Sequence, residues 1–133
     1  MDFARRSSVA AYRSVAAHGG VAASDPHRLV LILMDGALER LAAASGAMKA
    51  GAQESKAQLI QRCVAIIEEL RGSLNLEAGG VIAANLADLY EYSIRQLTRA
   101  NLENRVELLD EVALLLREIR SAWIQIPPRT VAG

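Results

Sequence analysis

The chain has 133 residues, about one domain's worth, of which 52% are apolar but only 4% aromatic; Ala, Leu, Val and Ile supply the apolar content, which favours helices over a sheet. Fifteen basic and fifteen acidic side chains cancel, so no net field points to nucleic acid or an anionic membrane, and no apolar run approaches the ~20 residues of a membrane span. The single cysteine, Cys63, excludes an internal disulfide and fits a reducing compartment, which with the rest predicts a soluble, cytoplasmic, all-α domain.

Residues 1–23 read as an N-terminal arm: they are rich in small residues, contain Gly19-Gly20, and hold isolated anchors such as Phe3, Tyr12 and Val15. No secretory h-region forms there, because Arg13 and the glycine pair interrupt the alanines. A first helix is predicted over 26–50. Asp25 offers an N-cap carboxylate, Pro26 suits the first helical position, and Gly51 is a stop. A second helix is predicted over 53–74 from the three-and-four spacing of Ile60, Cys63, Val64, Ile67, Leu70 and Leu74. Gly79-Gly80 breaks the chain. A third helix, 81–102, carries Ile82, Leu86, Leu89, Tyr90, Ser93, Leu97 and Ala100 on its inner stripe. In the fourth, 105–124, Asn104 and Glu107 are spaced as a capping box, and the stripe is Leu109, Val112, Ala113, Leu116, Ile119 and Trp123. Pro127-Pro128 ends it, leaving 127–133 as a tail. Four helices with short connections predict an antiparallel up-down-up-down four-helix bundle over 24–126.

Catalytic chemistry is missing from this pattern. A di-iron bundle needs Glu-x-x-His pairs on facing helices. The two histidines, His18 in the arm and His27 in the first helical turn, follow no such spacing. Cys63 falls on an inner stripe with no basic neighbour to make a thiolate, so it reads as core. No enzyme, cofactor or metal site is expected.

What the pattern does show is surplus apolar surface. On a wheel at about 100° per residue, Val30, Met34, Ala37, Leu41, Ala44 and Met48 suffice for the first helix's core. Leu29, Ile32, Gly36, Ala43 and Ala47 gather on a second stripe, which predicts a groove for an added helix or strand. Tyr92 turns outward among Asp88, Arg95 and Arg99. Leu114 stands nearly opposite the core among Glu107, Glu111 and Glu118, with Leu108 and Leu115 on its flank. Contiguous apolar patches mark partner sites. The plainer reading is that wide-faced helices and the arm use up the surface.

At this point the chain resembles the flagellar secretion chaperone family, FliS. The match is carried by "LYEYSIRQLTRANLENRVELLDEVALLLREIRSAW" at 89–123, by "SDPHRLVLILMDGALERL" opening the first helix, by "AYRSV" in the arm and by "LNLEAGGVIAANLADLYEY". Met34 stands where the family often has an aromatic, and Arg105 where Asp often follows Asn. The resemblance implies a bundle with an N-terminal arm that wraps the disordered C-terminal segment of newly made flagellin in the cytoplasm. It implies prevention of premature polymerisation and delivery to components of the type III export gate, without ATP hydrolysis. The partner-binding residues expected are Tyr12 and Val15, carried over from the family's arm motif, and, from the helix wheel, Leu29, Ile32 and Gly36 on the first helix and Tyr92, Leu114 and Leu115 on other faces. Tyr90, Leu97 and Trp123 match the family pattern too, but their wheel positions say core. The alternatives are a homo-oligomeric structural bundle, down to a weak homodimer, or an adaptor of another secretion system.

Overall fold

The computed structural model describes residues 25–125, side chains of 76–78 excepted, and these form four helices. Helix α1 spans Pro26–Lys49, α2 Gln53–Gly72, α3 Leu76–Glu103 and α4 Val106–Gln125. The Asp25 carboxylate accepts the Arg28 backbone N–H at 3.1 Å, capping α1 as its sequence predicts. Gly51, at φ 76°, closes the helix. The Ala52 N–H reaches back to the Ala47 carbonyl at 2.9 Å and the Gly51 N–H to that of Met48, satisfying carbonyls that would otherwise end unpaired.

The break near the start of α3 falls at Gly80, whose φ of 54° and ψ of −131° lie in a region open essentially to glycine. One helical turn from Leu76 precedes it, and the long helix proper starts at Val81. At the other end Asn104 takes φ 54°, and the Arg105 N–H bonds the Ala100 carbonyl at 3.2 Å. Asn104 therefore terminates α3; it does not open α4 in a capping box with Glu107, as its spacing predicts. The buried Lys56 of α2 explains the difference. Its Nζ donates to the Asn101 carbonyl at 3.0 Å and to Asn104 Oδ1 at 3.2 Å, putting a cation where the C-terminus of α3 carries partial negative charge.

Each helix packs on its neighbours in sequence, α4 closes the ring against α1, and the diagonal pairs do not meet. The all-α four-helix bundle is thus observed. The α1–α2 interface is the most extensive, since Ala37 and Ala44 let the backbones approach. Met34, Leu41, Ile60, Ile67, Leu70, Tyr90, Leu97, Leu109, Leu116 and Trp123 fill the centre. Cys63 is buried there, its thiol pushed up to about 12 by desolvation against a weak opposing pull from Arg40. It is a core residue.

Two side-chain ties link α1 to α4. The rings of His27 and Trp123 stack at 4.9 Å; the His27 ring nitrogen Nε2 lies 2.7 Å from the Trp123 carbonyl, and Trp123 Nε1–H donates to the His27 carbonyl at 3.0 Å. Two turns along, Arg120 grips Asp35 through two contacts, of 2.6 and 3.3 Å. No described helix is long and apolar enough to cross a membrane.

Candidate partner-binding surface

The stripe on α1 divides on inspection. Leu29 is only 5% exposed, which corrects its reading as an outward groove residue, although it stands apart from the contiguous core cluster. A helix wheel fixes an angle on one helix and carries no information about what packs on its first turn. Ile32, one turn further, is half-buried and does not pack on the core, unlike Leu31 and Leu33 on either side. It remains available.

Gly36 is half-buried. A Cβ placed on it would meet Arg40 Nη1 at 3.5 Å and Ile66 Cδ1 at 3.7 Å, ordinary contact distances. Arg40 also donates to the Gly36 carbonyl at 3.0 Å. Gly36 therefore lies beside the seam between α1 and α2, with the Arg40 guanidinium next to it. Ala43 is exposed and Ala47 half-buried, so the small-residue floor lies where the wheel puts it. Tyr12 and Val15 lie outside the described residues.

The other predicted residues lie on α3 and α4. The Tyr92 hydroxyl donates to Glu111 Oε2 at 2.5 Å, and Gln96 Nε2 to Glu111 Oε1 at 2.8 Å, bridging α3 to α4. Acceptance from Tyr92, then from Gln96, holds the Glu111 carboxyl below its usual range, and the same bond raises the Tyr92 phenol. Arg95 lies 5.9 Å from the Tyr92 ring centroid, consistent with its predicted basic surroundings. Leu114 is 57% exposed, as the wheel predicts, while Leu115 is half-buried against the core. Leu108, predicted on the same flank, is buried and belongs to the core. Tyr90, Leu97 and Trp123 are core residues, as their wheel positions require.

One reading fails in the other direction. Ile82, placed on the inner stripe by its spacing, is 42% exposed and its neighbour Val81 75%. Both follow directly on the break at Gly80, in the first turn of the long helix. Local spacing fixes the angle of a side chain on its own helix and not what covers it. The five large exposed hydrophobics among the described residues, Val81, Ile82, Leu102, Leu114 and Ile124, all belong to α3 and α4.

The described residues form an all-α four-helix bundle that leaves large apolar side chains outside its core and holds no group of His, Cys, Asp or Glu that could bind a metal ion. The chain matches the family model described as flagellar protein FliS over residues 8–130, and it belongs to that family. It is 46% identical to the flagellar secretion chaperone FliSB of Pseudomonas aeruginosa, over 84% of this chain and 89% of that protein. It is 42% identical to flagellar secretion chaperone FliS of Vibrio cholerae, over 92% of this chain and 90% of the relative, and 38% identical to that of Salmonella typhimurium, over 92% of each.

Proposed function

We propose that this chain is a cytoplasmic flagellar export chaperone that binds the C-terminal segment of flagellin, keeps it from polymerising and brings it to the export gate. It works by binding and not by catalysis. The observation that carries the reading is Ile32: a large apolar side chain in the most apolar part of α1, half-buried yet unused by the core. A segment that folds as it binds must gain enough apolar burial to offset its own ordering entropy, and a track on the α1–α2 seam offers that to an amphipathic helix. Family membership and the names of its relatives support the client class. Tyr12 and Val15 enter as arm anchors on this track, and Gly36 as the point where a client backbone comes close.

Calorimetry of the full chain with a C-terminal flagellin peptide tests the proposal. One-to-one binding with a negative heat-capacity change is the expected result. Ile32→Asp should fold with a melting temperature near that of the parent and lose at least ~1.4 kcal/mol of binding, a factor of ten. Unfolding of that variant would place Ile32 in the core and remove the track; self-association without peptide binding would favour a structural homo-oligomer.

A further inference from the structure

We infer that Arg40 selects the client on the α1–α2 face: its guanidinium takes a carboxylate carried by an amphipathic client helix, one turn from the apolar side chain that covers Ile32. Given the client-binding role proposed for this face, on which the assignment depends, Arg40 sets what the client must carry there. Arg40 Nη1 donates back one turn to the Gly36 carbonyl at 3.0 Å. It lies 3.5 Å from the position of an added Gly36 Cβ, and Ile66 Cδ1 of α2 lies 3.7 Å from that same position. The guanidinium therefore sits where α1 meets α2, and the buried Cys63 thiol of α2 feels its charge. Gly36 stands four residues from Ile32, so the cation and the available apolar side chain are about one turn, ~6 Å, apart along the axis. The bond from Nη1 anchors the group and leaves Nε–H and Nη2–H, which share one edge of the guanidinium, without a hydrogen bond among the described residues. Two such parallel N–H groups are what meets both oxygens of a carboxylate.

The chain supplies no carboxylate of its own to that edge. Arg71, Arg95, Arg99, Arg105 and Arg120 all hold carboxylates. Of the arginines without an ion pair among the described residues, Arg28, Arg62 and Arg117 are exposed, and Arg40 is half-buried. The positions three and four residues either side of Arg40 are Gly36, Ala37, Ala43 and Ala44, so no acidic side chain of α1 is within helical reach. Asp35 is held by Arg120 of α4, and the exposed Glu39 stands about 100° round the helix. The α2 side chains beside the guanidinium, Ile66 and Cys63, carry no charge to meet it. Nor do the flanking segments suit it: 1–24 has three arginines against one aspartate, and 126–133 has one arginine and no acidic side chain. A client that laid an apolar side chain here would bury a cation without counter-charge, whereas a carboxylate gains paired, charge-assisted bonds as water is excluded. Arg40 thus discriminates between clients that cover Ile32 equally well.

Two labelled synthetic helical peptides test this. They share one leucine stripe on an otherwise uncharged helix and differ in a single residue, glutamate or glutamine, one turn from the central leucine. Each is titrated into the full chain by fluorescence anisotropy. The glutamate peptide is expected to bind at least ~tenfold more tightly, with the advantage shrinking as salt is raised. Arg40→Gln removes the charge and keeps a polar side chain; it should make the two peptides equal and leave the thermal melt near that of the parent. Arg40→Lys keeps the charge without the paired edge, and should retain only about a threefold preference. Ile32→Ala should weaken both peptides by the same factor. Equal affinity of the parent for the two peptides overturns the inference, as does binding of neither or a preference that survives Arg40→Gln. It is also overturned by a dimer of the chain that Arg40→Gln dissolves. The C-terminal flagellin peptide, expected to lose ~tenfold on Arg40→Gln, separates this assignment from the reading it rests on. Flagellin binding that is equal for the parent and Arg40→Gln shows that only the role of Arg40 has failed; a glutamate preference without flagellin binding shows that only the flagellin reading has.

Discussion

Trp123 does more than fill space. Its indole is sealed in the core, its N–H satisfies the His27 carbonyl, and its face stacks on the His27 ring, so one residue ties the end of α4 to the start of α1. Trp123→Phe keeps an aromatic ring but removes the indole N–H bond to that carbonyl and leaves a smaller side chain in a sealed site, which should cost about 1–3 kcal/mol in a urea titration, with the slope unchanged. Cys63 marks the opposite kind of residue, one whose chemistry the fold suppresses. With its thiol pushed up to about 12 by burial, it should resist iodoacetamide at neutral pH and react only as the chain unfolds. Labelling at the parent rate of an exposed thiol would show that the core around it opens. His27 was legible in the sequence only as a polar first-turn residue. No local signal could have matched it to a partner ninety-six positions away.

The helices owe their ends to a few residues of special backbone geometry. At Gly80 the φ of 54° with ψ −131° admits no side chain without strain. Gly80→Ala should therefore destabilise the protein by about 1–3 kcal/mol by thermal melting, even though nothing stands within 4 Å of the position an added Cβ would take. Gly36 is the contrasting case. Its backbone is helical, an added Cβ would make only ordinary contacts, and Gly36→Ala should be neutral or up to ~1 kcal/mol stabilising. A clear loss of stability would mean that the α1–α2 seam is tighter than these distances allow. The turn from α3 to α4 depends on Asn104 twice, for its positive φ and as acceptor for Lys56. Asn104→Gly keeps the first and loses the second, whereas Asn104→Ala loses both. The alanine variant should be the less stable by about 1 kcal/mol.

Taken whole, the molecule is tied by polar contacts at its ends and along the α3–α4 seam. Glu103, Glu107 and Glu111 all have folded-state carboxyls held below the ordinary range. For Glu103 and Glu111 side-chain hydrogen bonds lead, from Arg99 and from Tyr92 respectively; for Glu107 a backbone hydrogen bond leads. A depressed acid contributes stability that is present above its unfolded value of about 4.3 and is lost as pH falls through the folded one. Stability should therefore decline on acidification below about pH 5. The decline should be shallow, since all three groups are exposed, and Glu111→Gln should flatten it, as followed by melting temperature against pH. Tyr92, raised by the same bond, contributes in the other direction: its share is complete below the ordinary phenol range and disappears as pH rises through its folded value.

Local sequence determined the helices because their causes are local. The Asp25 cap, Gly51, the break at Gly80 and the stripes of Ile60–Leu70 and Leu109–Trp123 each act within a turn or two of chain. Short connections then left an antiparallel bundle as the packing solution, and the wheel found Leu114 outside and Tyr90, Leu97 and Trp123 inside. Tertiary structure alone decided the rest. It buried Leu29 and Leu108, left Ile82 uncovered, and turned Asn104 from a cap for α4 into the terminus of α3 under a lysine from α2. Exposure and hydrogen bonding depend on which side chain the neighbouring helix presents at the same level, and that register is a property of the packed pair.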